Sequence, residues 1–197
     1  MDLPEIFEGR KRIGVCGSAD SDTDLIKQKL ADTFVMTGTS SIAVICGGTR
    51  GGIPELVEDI ARELSIPVCG VMPACGEDYA LSTLTHAITV NPTHPSVPST
   101  WGSEASTLIG ACDAVIFIGG GWGTIIEAAT VAKINASRLK KKKTPIYVVL
   151  TNWDNTQMLT DQIFEALLSD PNLEEAVCDQ WFSDPYEIAC FLTDKLW

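Results

Sequence analysis

The chain has 197 residues, of which 45% are hydrophobic and 20% are charged, and its formal net charge is −12. These values are typical of one globular domain over residues 1–197, and the acidic balance argues against nucleic acid or an anionic membrane as a partner. The sequence has no signal-peptide pattern, no apolar run long enough to span a membrane and no CxxC pair among its seven cysteines. It therefore predicts a reducing, cytoplasmic setting.

Short apolar runs alternate along the chain with segments of helical periodicity. In chain order we expect a strand at 12–16, a helix from Ser21 or Asp22 to about Thr33, a strand at 42–46, a helix at 53–64 and a strand at 67–71. After a long loop we expect a helix at 103–111, a strand at 113–118, a helix at 123–138, a strand at 145–150, a helix at 158–168 and a last helix opened by Asp184 and Pro185.

The predicted strands are continuous runs rich in Val and Ile, and they do not alternate with polar residues. This pattern is typical of parallel strands that are covered on both faces. The sequence therefore predicts an α/β fold, a Rossmann-like, doubly wound, mainly parallel sheet with helices on both faces. Its one basic run, Lys140–Lys143, is interpreted as a helix end, where cations are favourable.

A weakly patterned stretch separates the third strand from the next helix, at 73–100. It contains both histidines, His86 and His94, and a candidate strand at 87–90. Loops of this length are usually functional or mobile. No cysteine or paired carboxylate accompanies the histidines at a suitable spacing, so no metal site is predicted.

Glycine-rich loops follow three of the predicted strands. The predicted ligand-binding residues are Gly17 and Ser18 after the first strand, Gly47, Gly48, Thr49, Arg50, Gly51 and Gly52 after the second, and Gly119, Gly120, Gly121, Trp122, Gly123 and Thr124 before the fourth long helix. Ligands of open parallel sheets bind outside the carboxyl ends of the strands, which is where these loops lie.

Two of these loops run directly into helices, which suits them to bind a phosphate. Backbone amides at a helix N-terminus attract anions, and glycine allows the anion to approach closely. Arg50 offers a bidentate contact and Thr124 a hydroxyl. The alternative is that the glycines only form tight turns; neither loop has the GK[ST] ending of a P-loop or the GxGxxG spacing of a dinucleotide site.

Glu127 lies three residues after Thr124, near the start of the same predicted helix. Its position favours a role at the ligand, and it is the one candidate catalytic residue. The alternative is a carboxylate that only complements the helix dipole.

At these positions the chain resembles the LOG-like superfamily, SLOG. The segments that carry the resemblance are IGVCGSAD at 13–20, CGGTRGGIPE at 46–55 and GGGWGTIIE at 119–127. The superfamily includes cytokinin phosphoribohydrolases once called lysine decarboxylases, molybdenum-cofactor carriers, relatives of DNA-processing protein A, and sensors of ADP-ribose-type ligands. The resemblance implies a homodimer or a larger homo-oligomer.

One departure from the hydrolase branch affects the expected activity. That branch has an Arg-Lys pair where this chain has Glu104 and Ala105. Gly119 in place of proline and the GGI-type second loop make the chain more similar to the carrier and DNA-processing-protein-A branch than to the phosphoribohydrolases.

Three functions remain open from the sequence. The first is a carrier or sensor that binds a nucleotide, an ADP-ribose-like ligand or the molybdenum cofactor and needs no cofactor of its own. The second is a nucleoside 5′-monophosphate phosphoribohydrolase that uses Glu127 to assist cleavage of the N-glycosidic bond. The third is an interaction module with a vestigial pocket.

Overall fold

A computed structural model describes residues 3–18, 24–94, 96–153 and 177–197. The strands are β1 Lys11–Gly17, β2 Ile42–Cys46, β3 Val68–Pro73, β4 His86–Val90, β5 Ala114–Ile118, β6 Tyr147–Thr151 and β7 Val177–Phe182. The helices are α1 Asp24–Thr37, α2 Gly52–Glu63, α3 Ala105–Gly110, α4 Trp122–Lys140 and α5 Pro185–Leu196, with short 3₁₀ helices at Glu5–Phe7 and Ala74–Tyr79.

All seven strands form one parallel sheet in the order β4-β3-β2-β1-β5-β6-β7. Every residue of β2 and of β5 is buried, because α1, α2 and α5 pack together on one face while α3 pairs with α4 on the other. The predicted Rossmann-like fold is confirmed.

The strand order places a topological switch between β1 and β5. From β1 the chain adds strands in one direction as far as β4, and it then returns to add β5, β6 and β7 in the other direction. The chain therefore crosses to one face of the sheet after β1 and to the opposite face after β5. The two connections diverge, which opens a crevice at the carboxyl ends of these strands.

Several predicted boundaries need correction. Helix α1 extends to Thr37, four residues beyond the predicted end at Thr33. The hydroxyls of both threonines donate to the carbonyls four residues earlier, which keeps these β-branched residues helical, and Gly38 ends the helix at a φ of 102°. Strand β7 was not predicted, whereas the candidate strand at 87–90 is confirmed as β4.

Two predictions lie outside the described residues. These are the cap of α1 at Ser21 or Asp22 and the helix at 158–168. Among the described residues, no helix has the length and apolarity needed to cross a membrane.

Candidate functional site

The three glycine loops lie at the carboxyl ends of β1, β2 and β5. The surroundings of Gly17 show how closely the end of β1 packs against its neighbours. An added Cβ at Gly17 would lie 2.6 Å from Cγ1 of Ile53 and 2.7 Å from the carbonyl oxygen of Ile118. Ile53 is in the first turn of α2 and Ile118 ends β5. The end of β1 is therefore packed between the loop before α2 and the loop before α4.

The two GG-rich loops do not follow adjacent strands of the sheet. Strands β2 and β5 each pair with β1 and not with each other. The short loop at Gly17 and Ser18 thus lies between the other two. The physical reason is the switch point, which makes β1 the central strand and places β5 on its far side.

Two backbone amides of the 47–52 loop donate to other parts of the protein. The amide of Arg50 donates to the carbonyl of Tyr79 over 2.9 Å, and that of Gly51 donates to Oε2 of Glu55 over 2.7 Å. The next helical amide, that of Ile53, donates to the carbonyl of Ser18 over 3.0 Å. These bonds fix the loop against its neighbours and engage two of its six amides.

The Arg50 side chain is also held by the protein. Its Nη2 donates to the carbonyl of Asp78 over 2.6 Å, in the 3₁₀ helix that follows β3. An antiparallel bridge between Thr49 and Ala80 joins the same two segments. The guanidinium therefore pins this loop to a segment about thirty residues away along the chain.

The amides of the 119–124 loop are less engaged with the rest of the protein. Within the described part of the chain, the amides of Gly119–Thr124 have no backbone acceptor outside the helix, and the first bond of α4 joins the amide of Ile125 to the carbonyl of Gly121. Gly119 and Gly120 have φ values of 53° and 128°, which favour glycine. The start of this 19-residue helix thus presents, beside the crevice, N–H groups that find no backbone acceptor among the described residues.

Two predicted side chains in this loop have distinct environments. Thr124 is 2% exposed and packs beneath Gly120, so its hydroxyl supports the loop from inside. Trp122, in contrast, is 72% exposed. A second exposed aromatic, Trp101, contacts Tyr79 with the ring centroids 6.2 Å apart.

Glu127 is half-buried and accepts a hydrogen bond from the Cys16 thiol at the end of β1. Burial raises the pKa of Glu127 to about 8; the nearby Glu104 carboxylate also raises it, and the bond from Cys16 opposes the shift. Burial likewise raises the pKa of Glu104, whose Oε2 is buried without a hydrogen-bond partner. At neutral pH the Glu127 carboxyl is mostly protonated.

Glu104 and Cys16 are the members of this cluster that sequence reasoning did not select. Glu104 was noted only as a departure from the hydrolase pattern, and Cys16 was treated as a small apolar residue of a strand. Packing of Gly102 against Ile126 brings the start of α3 to the first turns of α4. No local pattern in the sequence indicates that approach.

The sequence matches the model of the SLOG cluster4 family over residues 10–166. The chain belongs to the SLOG cluster4 family. The family expected from the glycine motifs is thus confirmed. No curated protein matches this SLOG cluster4 sequence.

Solved structures support the fold of this SLOG cluster4 protein. The protein TM1055 has 21% sequence identity and a TM-score of 0.66, with 94% of this chain and 99% of that chain covered. The molybdenum cofactor carrier protein of Chlamydomonas reinhardtii has 19% identity and a TM-score of 0.61, with 95% and 98% covered. DNA processing protein A of Helicobacter pylori has 14% identity and a TM-score of 0.58, with 99% and 95% covered.

Proposed function

We propose that this protein binds a nucleotide or a nucleotide-derived ligand through its phosphate, as a carrier or a sensor. The observation that carries the proposal is the set of amides at Gly119–Thr124, which have no backbone acceptor outside the helix among the described residues. They lie at the N-terminus of α4, next to the switch point, where an anion is favoured by both the N–H groups and the helix dipole. The 47–52 loop shapes the crevice and contributes less to holding the phosphate.

The carboxyl groups of Glu127 and Glu104 indicate which part of the ligand lies away from the phosphate. The Glu104 carboxylate lies close enough to Glu127 to raise its pKa, and the charge of Glu104 repels a phosphate. Hydroxyl or N–H donors of a sugar or a base suit these oxygens instead. The ligand is therefore bound with its phosphate at the glycine loop and its donor-rich part toward Glu127.

Similarity to a molybdenum cofactor carrier protein agrees with a small-molecule cargo. Nucleoside monophosphates, ADP-ribose and the molybdenum cofactor each combine a phosphate with a donor-bearing ring, and they form the first set of ligands to examine. A thermal-shift screen tests the proposal, because a ligand that binds only the native state raises the melting temperature.

Two matched variants test, in the same screen, whether the ligand binds at the 119–124 loop. Gly121 and Gly110 both have open space where a Cβ would be, and Gly110 ends α3, away from the loop. Gly121→Glu places a negative charge at the proposed phosphate site, whereas Gly110→Glu makes the same charge change elsewhere. We expect the shift to disappear only in Gly121→Glu; a flat screen with the native protein would instead support an interaction module.

A second candidate function is hydrolysis of a nucleoside 5′-monophosphate. It is favoured by the raised pKa of Glu127, because a protonated carboxyl can give its proton to the departing base as the C–N bond breaks. Water then forms the new bond to the sugar carbon, and its proton returns to the Glu127 carboxylate. Glu104 replaces the arginine of the hydrolase branch, which weighs against it. Release of free base by the native protein and not by Glu127→Gln would establish this reaction; no release, with a thermal shift, leaves the carrier function.

A further inference from the structure

The segment 99–102 touches both sides of the crevice. At one end, the amide of Cys75, in the 3₁₀ helix that follows β3, donates to Oγ of Ser99 over 3.0 Å. At the other end, an added Cβ at Gly102 would lie 2.8 Å from Cδ1 of Ile126, in the helix that follows β5. Strands β2 and β1 lie between β3 and β5 in the sheet. The segment therefore crosses the carboxyl ends of β2 and β1, where the glycine loops begin.

Trp101 is the large side chain of this crossing segment. An added Cβ at Gly76 would lie 3.1 Å from Cη2 of Trp101 and 3.3 Å from Cζ3, so one edge of the indole rests on the backbone of the 3₁₀ helix. The ring of Tyr79, in the same helix, contacts the indole, and the carbonyl of Tyr79 accepts from the amide of Arg50. The indole is thereby held beside the 47–52 loop, while 56% of the residue stays exposed.

The backbone after Trp101 fixes the indole on the side of the crevice that holds the carboxyl groups. Gly102 has a φ of 93°, which favours glycine, and its lack of a side chain permits the approach to Ile126. Glu104 follows two residues later and lies near Glu127. An aromatic face that is exposed and already held in place loses little conformational entropy when a ligand covers it.

We propose that Trp101 stacks on a planar heterocyclic ring of the ligand, so that the site selects phosphates that carry such a ring over simple sugar phosphates. This inference rests on the proposed phosphate site at the 119–124 loop. Stacking on an aromatic side chain is available to every base, because each has a π face. Trp101 therefore determines the class of the ligand, and the polar groups at the edge of the ring face Glu127.

The two probes are adenosine 5′-monophosphate and ribose 5-phosphate, which share the phosphate and the sugar and differ in the ring. Titration calorimetry of the full chain measures both affinities. We expect the native protein to bind adenosine 5′-monophosphate about tenfold more tightly or better. Trp101→Leu still covers Gly76 but has no aromatic face, so it should weaken adenosine 5′-monophosphate alone and bring the preference to about threefold or less. Trp101→Phe should retain most of the preference, since it restores a face for stacking.

Trp197→Leu is the matched control. Trp197 is 58% exposed and lies over Lys11 at the start of β1, at the opposite end of that strand from the crevice, so its replacement should change neither affinity. Equal affinities of the native protein for the two probes, or an equal loss of both in Trp101→Leu, would overturn the stacking role and leave the phosphate site intact. Binding of neither probe would contradict the phosphate site as well. A changed oligomeric mass of Trp101→Leu with an unchanged preference would assign the indole to an interface between copies and would also overturn the inference.

Discussion

The Glu127 carboxyl makes stability depend on pH in a direction opposite to that of most glutamates. Because its pKa rises to about 8 on folding, the native state holds the proton more tightly than the unfolded chain does. Its contribution to stability is thus complete below the ordinary glutamate pKa and is lost as the pH rises toward 8. Glu127→Gln resembles the protonated form and should be the more stable protein at pH 8, by an amount on the order of 3 kcal/mol.

Urea denaturation of both proteins at pH 5, 6.5 and 8 measures this difference. We expect nearly equal free energies of unfolding at pH 5 and a gap that widens with pH. Glu77→Gln removes a charge from an exposed position and controls for the change in net charge. A gap that stays constant across the three pH values would show that Glu127 is not protonated in the native protein.

At the scale of single elements, the turn before α4 depends on one glycine more than on its neighbour. Gly120 has a φ of 128°, and a Cβ there would collide with the Thr124 side chain, which is itself buried. Gly121 has a φ of −105° and nothing within 4 Å of an added Cβ. We therefore expect Gly120→Ala to lose about 2 kcal/mol or more of unfolding free energy, and Gly121→Ala to lose less than about 1 kcal/mol.

Chemical denaturation of both variants provides the measurement, and a thermal shift with any ligand found by screening reports the site. Gly120→Ala should also lose that shift, since the amides of the loop move when Thr124 is displaced. Equal stability of the two variants would mean that the loop relaxes around the new methyl group and is not held in place by Thr124.

Most elements could be predicted because their residues carry the information locally. Runs such as Ile42–Cys46 and Ala114–Ile118 are buried on both faces, and their composition alone indicates this. Strand β7 was missed because Val177–Phe182 includes Asp179 and Gln180 and forms an edge of the described sheet. Pairing with β6 forms this strand, and its own sequence has no continuous apolar run.

The predicted site was less complete because its contacts join distant parts of the chain. The motifs located the loops at Gly47 and Gly119. They did not show that the amide of Arg50 already donates a hydrogen bond to the carbonyl of Tyr79. They likewise gave no sign that Glu104 lies near Glu127. Which amides and carboxyl groups remain available for a ligand is decided by packing between elements, and that information is not local.

For the whole molecule, the charge of this chain argues against the nucleic-acid binding named for one of the structures it resembles. DNA processing protein A of Helicobacter pylori is described as binding single-stranded DNA, and the shared fold by itself carries no such property to this chain. Binding to a nucleic acid backbone requires several cations on one surface. Here the net charge is −12, and the basic run Lys140–Lys143 begins at the last residue of α4, at the end of the helix opposite the crevice.

We therefore expect no measurable affinity for single-stranded DNA at the glycine loops, even at low ionic strength where phosphate contacts are strongest. Fluorescence polarisation with a labelled 30-nucleotide strand in about 50 mM salt tests this. Replacing the four lysines at 140–143 by glutamine distinguishes a weak contact at that run from binding in the crevice. Binding that survives this replacement and is abolished by Gly121→Glu would place DNA at the phosphate site and would contradict the argument from charge.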